Sequence, residues 1–311
     1  MEHIYNTDKF QLKNTAVCLG KFDGIHKGHR LLISEVVAHK ELKSVVFTFA
    51  LHPSNLFSNS EVKLIDTFEE KFEKLEKLGI DTLISYPFTA ETASMEPEEF
   101  VKEVIVKKLD AKLIVIGKDF HFGHKRKGDV SLLKALSDQY GFKVIAFNKL
   151  EQEEKVVSST RIREEIQNGN MELVEELLGV PYAFEGEVLH GQKLGRTIDM
   201  PTINQAVGEH KILPPLGVYV SKILIENKVY YGITNVGKKP TVNGEAVVGV
   251  ETNIFDFSGD LYGKEVRTEL LKFVRPEQKF KNVELLKKQM YKDKAFGMNF
   301  VGLQSNKTML S

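Results

Sequence analysis

At 311 residues the chain is long enough for two domains of roughly 100–200 residues each. Its 42% hydrophobic residues, 28% charged residues and 23 glycines exclude a disordered or collagen-like chain, and each half can bury a core of its own. Lys plus Arg balances Asp plus Glu at 43 each, so no net field draws the molecule to nucleic acid or to a membrane surface, and any anion site must be local.

The opening MEHIYNTDKF has no apolar signal core, and no apolar run approaches the roughly 18 residues of a membrane span. The expectation is a cytoplasmic protein. Cys18 has no second cysteine to pair with and lies in the apolar run AVCLG, which predicts a buried structural thiol.

From Thr15 to Phe147 short apolar runs alternate with helical patterns, as in βαβ units that build a parallel sheet. Strands are predicted at Thr15–Leu19, Ser44–Phe49, Thr82–Tyr86, Leu113–Ile116 and Lys143–Phe147, and a helix at Arg30–His39 follows the first. Thr67 and Glu70 form a T-x-x-E capping box ahead of Phe68, Phe72, Leu75 and Leu78 at helical spacing, with Gly79 as the stop. Further helices are expected over Pro97–Lys108 and Val130–Tyr140, the latter capped by Asp129. This half is α/β.

After Ser158 two helical patterns, Thr160–Gln167 and Met171–Leu178, stop at Gly169 and Gly179. From Tyr182 the rhythm becomes strand-like alternation broken by Gly, Pro and Asn, which suggests a small β-barrel or sandwich. A last helix is expected from Asn282, with the tail QSNKTMLS frayed.

Three segments of the first half carry chemistry. Gly20-Lys-Phe-Asp-Gly-Ile-His-Lys-Gly-His29 lies between the first strand and the following helix. Its glycines let backbone approach a ligand, the helix start offers N–H groups to phosphate, and His26 and His29 can sit on one side. Val115 to Asp129 follows the C-terminal end of a strand, where open α/β sheets bind ligands, and Phe120 and Phe122 can stack on a flat ring or plug the core. Its basic run His124-Lys125-Arg126-Lys127 is either a solvated loop or a phosphate-facing one. Ser158-Ser-Thr-Arg-Ile-Arg163 places hydroxyls, N–H groups and guanidinium at one helix start, suited to a triphosphate or to simple capping.

The form G-x-F-D-G-x-H-x-G-H resembles the HxGH nucleotidyltransferases, and in particular the N-terminal module of the bifunctional prokaryotic FAD synthetase family. The resemblance implies a Rossmann-like domain that binds ATP with Gly20, Phe22, Asp23 and Gly28 and with Ser159, Thr160, Arg161 and Arg163. It implies His26 and His29 as catalytic residues at the α-phosphate, and Asp119, Phe120 and Phe122 at the flavin. His52-Pro53 also matches a family position.

The second half extends the resemblance. Gly191 to Asn204 is similar to the riboflavin kinase loop G-R-x-x-G-[FY]-P-T-A-N, which implies ATP binding by Gly191, Lys193, Gly195, Arg196, Thr202 and Asn204, with Thr202 and Asn204 holding Mg2+. Val250-Glu-Thr-Asn-Ile-Phe-Asp-Phe257 resembles the strand that carries the family's catalytic glutamate, implying Glu251 as the base for a riboflavin hydroxyl. LYGK and Arg275-Pro-Glu-Gln-Lys-Phe280 complete the match, so the second domain is expected to be a small β-barrel with a terminal helix. The implied division is an adenylyltransferase domain over 1–157, a helical connector over 158–181 and a kinase domain over 182–311. The substrates implied are ATP, riboflavin and FMN, with no nucleic acid or membrane partner; self-association is left open. Asp199 and Ile203 depart from the loop pattern. They put a carboxylate and a branched chain beside anionic phosphate, so the rival reading is an FMN adenylyltransferase with an impaired kinase domain. A non-catalytic flavin-binding regulator is the more distant one.

Overall fold

The computed structural model describes residues 1–50, 62–190, 200–208, 210–226, 228–240 and 246–308. The chain divides into two compact units, Met1–Ser159 and Thr160–Ser311.

In the first unit, the described residues form a parallel six-stranded sheet: β1 (Glu2–Tyr5), β2 (Thr15–Leu19), β3 (Lys43–Phe49), β4 (Thr82–Tyr86), β5 (Ala111–Gly117) and β6 (Lys143–Phe147), in the order β1-β4-β3-β2-β5-β6. Central strands of such a sheet are covered on both faces, which is why β2 and β4 are buried at every position. Alternate residues feed two cores. Val17, Leu19, Val45, Phe47 and Ile114 share one with Val104, Ile105 and Leu133; Ala16, Cys18, Val46, Leu83 and Val115 share the other with Ile33, Val36 and Leu75. Cys18 is fully buried there, and burial pushes its thiol pKa up, as expected of a structural thiol.

The helices follow their sequence signals closely. Thr67 and Glu70 close a reciprocal capping box on α2 (Phe68–Lys77), with 3.2 Å and 3.0 Å bonds. Helix α5 (Val130–Tyr140) starts where the Asp129 carboxylate accepts from the Leu132 N–H at 2.9 Å. A short helix α3 (Ala90–Ser94) precedes α4 (Pro97–Phe100), which widens into a π-helix over Val101–Lys108. Helix α1 runs Lys27–Ala38 rather than Arg30–His39, because the His26 side chain caps it three residues earlier than expected.

Helix α6 (Ser159–Asn168) begins at the last residue of the first unit and, with α7 (Met171–Leu178), opens the second; Gly169 and Gly179 bound them in left-handed backbone. Strands β9 (Tyr182–Leu189), β10 (Ile203–Ala206), β11 (Gly217–Ile225), β12 (Lys228–Pro240), β13 (Ala246–Ile254) and β14 (Glu265–Pro276) close into an antiparallel barrel in the order β10-β13-β12-β11-β14-β9. Short strands β7 (Glu151–Gln152) and β8 (Lys155–Val156) of the first unit form a separate hairpin. Polar residues inside the barrel satisfy one another: Ser221, Thr234 and Thr252 are linked by hydroxyl contacts of 2.6 and 2.8 Å, and the Thr268 hydroxyl donates to Gln205 Oε1 at 2.6 Å. Helix α7 packs on β14, and the last helix α8 (Val283–Thr308) packs on β11 and β12. Of the tail expected to be frayed, Gln304 to Thr308 continue this helix, and residues 309–311 lie outside the described residues.

Candidate active sites

The first site grows out of the turn between β2 and α1. Phe22 (φ 48°), Gly24 (φ 86°) and Ile25 (φ 39°) all take left-handed backbone, which for a branched side chain is a strained conformation. The strain is held by packing, since Phe22 and Ile25 are both fully buried. Asp23 is buried too, and its Oδ1 accepts from the backbone N–H of Ile65 at 2.9 Å. Its carbonyl accepts from the Ser159 hydroxyl at 2.8 Å. Asp23 is therefore a brace of the turn.

The turn delivers His26 to the N-cap of α1, where its Nδ1 accepts from the His29 backbone N–H at 3.3 Å. That bond requires Nδ1 to be unprotonated, so the proton of neutral His26 sits on Nε2. The two imidazoles stack with centroids 3.6 Å apart and planes 18° apart, and Phe22 lies 5.0 Å from the His29 ring. Burial lowers the His26 pKa to about 4, partly opposed by its backbone hydrogen bond. His29 is held well below the usual imidazole range by burial first, then by His26 and Lys71. Both rings are neutral near pH 7 and can act as N–H donors. Gly28 permits this packing, because a Cβ there would lie 3.2 Å from the His26 ring; one at Gly20 would lie 3.1 Å from the Phe22 ring.

The loop after β5 holds the other expected residues of this unit. Asp119 is exposed and pairs with Lys149 at 2.9 Å. Phe120 is half-buried and stacks on Phe122 with centroids 5.9 Å apart. Phe122 itself is 7% exposed and packs on Phe100, so it plugs the core rather than offering a face to a ligand. Gly123 and Gly128 let the loop close on Pro97, where added Cβ atoms would come within 2.7 and 2.8 Å. Of the basic run, His124 and Lys127 both reach Glu96, at 3.0 and 3.2 Å, while Lys125 and Arg126 are exposed. Thr160, Arg161 and Arg163 lie on the first turns of α6, with Thr160 exposed and the two arginines half-buried.

The second site lies on the barrel. Asn204 of β10 stands directly opposite Glu251 of β13, which in turn stands opposite Asn235 of β12. One residue along, Thr252 and Thr234 are buried and bonded to each other, so the alternation of strands puts the Asn204-Glu251-Asn235 row on the opposite face. Asn253 Nδ2 donates to the Pro201 carbonyl at 2.8 Å and fastens the turn that carries Thr202. Thr202 and Ile203 line a cavity of about 220 Å³ together with Thr252, Phe257, Asp260 and Tyr262. Ile203 pairs with Thr252 and joins an apolar cluster with Ile254 and Leu261. Its branched chain alternates with Asn204 along β10 and lies beside Thr202 in the cavity lining. Gly191, Lys193, Gly195, Arg196, Asp199 and His52-Pro53 lie outside the described residues.

Sequence reasoning missed Asn235 and Glu277. At Gly237 a Cβ would fall 2.1 Å from Glu277 Oε1 and 2.8 Å from Asn235 Nδ2, so both side chains converge on bare backbone there. The RPEQKF segment was the available signal for Glu277; nothing local signalled Asn235, whose place comes from strand register.

A parallel sheet with paired imidazoles at its first helix start, joined in one chain to a closed barrel with a carboxylate flanked by amides, defines a two-site nucleotide-dependent transferase. The chain matches the FAD synthetase family over residues 8–161 and the riboflavin kinase family over residues 178–301. Relatives named bifunctional riboflavin kinase/FMN adenylyltransferase include those of Listeria monocytogenes, 36% identical over 94% of both chains, and Escherichia coli K12, 32% identical over 96% of this chain and 97% of that one. A crystal structure described as a macrolide-efflux protein from Streptococcus pneumoniae superposes with a TM-score of 0.83 at 34% identity, covering 94% of this chain and 96% of that chain. Among the described residues no helix is long and apolar enough to cross a membrane. The chain belongs to the bifunctional riboflavin kinase/FMN adenylyltransferase family.

Proposed function

We propose that the chain phosphorylates riboflavin to FMN at the barrel and adenylylates FMN to FAD at the His26–His29 site, each step using ATP. The observation that carries this reading is the stacked, neutral histidine pair at the start of α1. In adenylyl transfer an FMN phosphate oxygen attacks the α-phosphorus of ATP and pyrophosphate leaves. The nucleophile is already an anion, so no base is needed, and the task is to orient the reactants and to meet developing charge. Imidazole N–H donors and the amides at the start of α1 serve that purpose, with Gly20, Phe22, Asp23 and Gly28 shaping the approach. Ser159, Thr160, Arg161 and Arg163 offer hydroxyl and guanidinium partners for the triphosphate. Asp119 and Phe120 are assigned to the flavin, with Phe122 supporting Phe120 from the core.

Riboflavin is different, because its hydroxyl must lose a proton as it attacks the γ-phosphorus. Glu251 is assigned that proton, and Asn235 and Asn204 flank it on the neighbouring strands. The neutral oxygens of Thr202 and Asn204 suit a hard cation whose charge is balanced by ligand phosphates, and they fit magnesium. Magnesium there would neutralise the phosphates and polarise the transferred group. Gly191, Lys193, Gly195 and Arg196 complete the assigned ATP loop.

The test is chromatographic. Purified protein is incubated with ATP and magnesium, with riboflavin in one tube and FMN in another. FAD in both tubes is expected. FAD from FMN alone would reduce the chain to an adenylyltransferase, and tight flavin binding without product would make it a regulator.

A further inference from the structure

Two neutral imidazoles leave the adenylyl-transfer site without a charge of its own at the histidine pair, although a triphosphate arrives with several negative charges. The group that answers this lies on α2, 42 residues further along the chain than His29. Lys71 is half-buried, and its ammonium donates to the carbonyl of Lys21 at 3.4 Å, within the same turn that carries Asp23 and leads into His26. Its charge is felt at His29.

The two carboxylates that act on Lys71 each have another partner. Asp23 accepts from the Ile65 N–H at 2.9 Å, and Asp66 pairs with Lys74 at 2.6 Å. Both act on Lys71 electrostatically, yet among the described residues Lys71 forms no ion pair. Burial accordingly lowers its pKa, with Asp23 and Asp66 pulling the other way. An ammonium has three donors, and the Lys21 carbonyl takes one. A partly desolvated cation kept out of ion pairs is costly unless an anion completes it. The capping box at Thr67 and Glu70 and the Asp23 bond to Ile65 fix α2 against the turn, so this cation is held in place before any ligand arrives.

We infer that Lys71 is a phosphate-binding residue of the adenylyl-transfer site, supplying the positive charge that the neutral His26–His29 pair lacks. The inference rests on the adenylyl-transfer reading above. The ligand chemistry is that of a polyphosphate, either the triphosphate of ATP or the pyrophosphate it releases.

Lys71→Gln removes the charge while keeping a donor for the Lys21 carbonyl, and Lys71→Arg keeps the charge. Calorimetry with magnesium and inorganic pyrophosphate reads binding without turnover, and KM for ATP in FAD formation reads the reaction. Loss of one charged contact predicts an affinity about 10- to 100-fold weaker in Lys71→Gln on both measures. Lys71→Arg is expected to stay close to wild type. Circular dichroism and the melting curve of each variant report that it is folded. Unchanged pyrophosphate affinity and unchanged KM for ATP in a folded Lys71→Gln would overturn the inference and leave Lys71 a structural counter-ion to Asp23 and Asp66. A wild-type chain that forms no FAD would instead sink the adenylyl-transfer reading, and the pyrophosphate titration would still decide the role of Lys71.

Discussion

His26 caps the helix on which His29 stands, and the same backbone bond that fixes the cap brings the two rings into a stack 3.6 Å apart. One residue is thus both the N-cap of the helix and half of the stacked pair. His29→Ala leaves the cap in place and removes a donor, so FAD formation from FMN is expected to fall by about 100- to 1000-fold. Riboflavin phosphorylation should persist, and flavin chromatography checks both. Loss of both activities would contradict separate sites.

The His26 ring also links stability to pH. An unfolded histidine takes up a proton near 6.5, whereas folded His26 resists protonation until about 4. Between those values the unfolded state binds more protons, so stability falls as pH is lowered through this window, by up to about 3 kcal/mol from His26. Burial of His29 adds in the same direction. Melting curves between pH 7.5 and 5 should show this slope, and His26→Asn should lessen it.

Glu251→Gln preserves the shape of the side chain but cannot accept the riboflavin proton. FMN formation is expected to drop by about 100- to 10,000-fold, with FAD formation from supplied FMN unaffected. An unchanged kinase rate would remove Glu251 as the base.

Inside the barrel, Thr234 bridges Ser221 and Thr252. Thr234→Val keeps the volume and strands two buried hydroxyls, at a cost of about 1–3 kcal/mol. Urea unfolding would read this, and a neutral result would mean that the two hydroxyls find other partners.

The sequence was most legible where local signals suffice. Thr15–Leu19, Thr82–Tyr86 and Lys143–Phe147 are strands to the residue, and Thr67 and Asp129 cap the helices they were expected to cap. The motif glycines and histidines were equally plain. Strand β1 was missed because EHIY is short and its place is set by pairing with Thr82–Ser85. The histidine stack depends on left-handed backbone at Phe22 and Ile25, which those residue types do not advertise. Phe120 and Phe122 look alike in the sequence, and only the contact with Phe100 separates support from surface. Lys71 and Asn235 reach their sites through tertiary placement and strand register, for which spacing offers no cue.

The sheet order also dictates a sequence of events. β1 sits at the outer edge beside β4, and its register runs Glu2 to Thr82 through Tyr5 to Ser85. During synthesis β1 therefore has no partner until β4 is made some eighty residues later, after β2 and β3. Strand β1 should join only after β2, β3 and β4 have paired, as a closing seam on that side, and hydrogen exchange is expected to find it opening before those three strands.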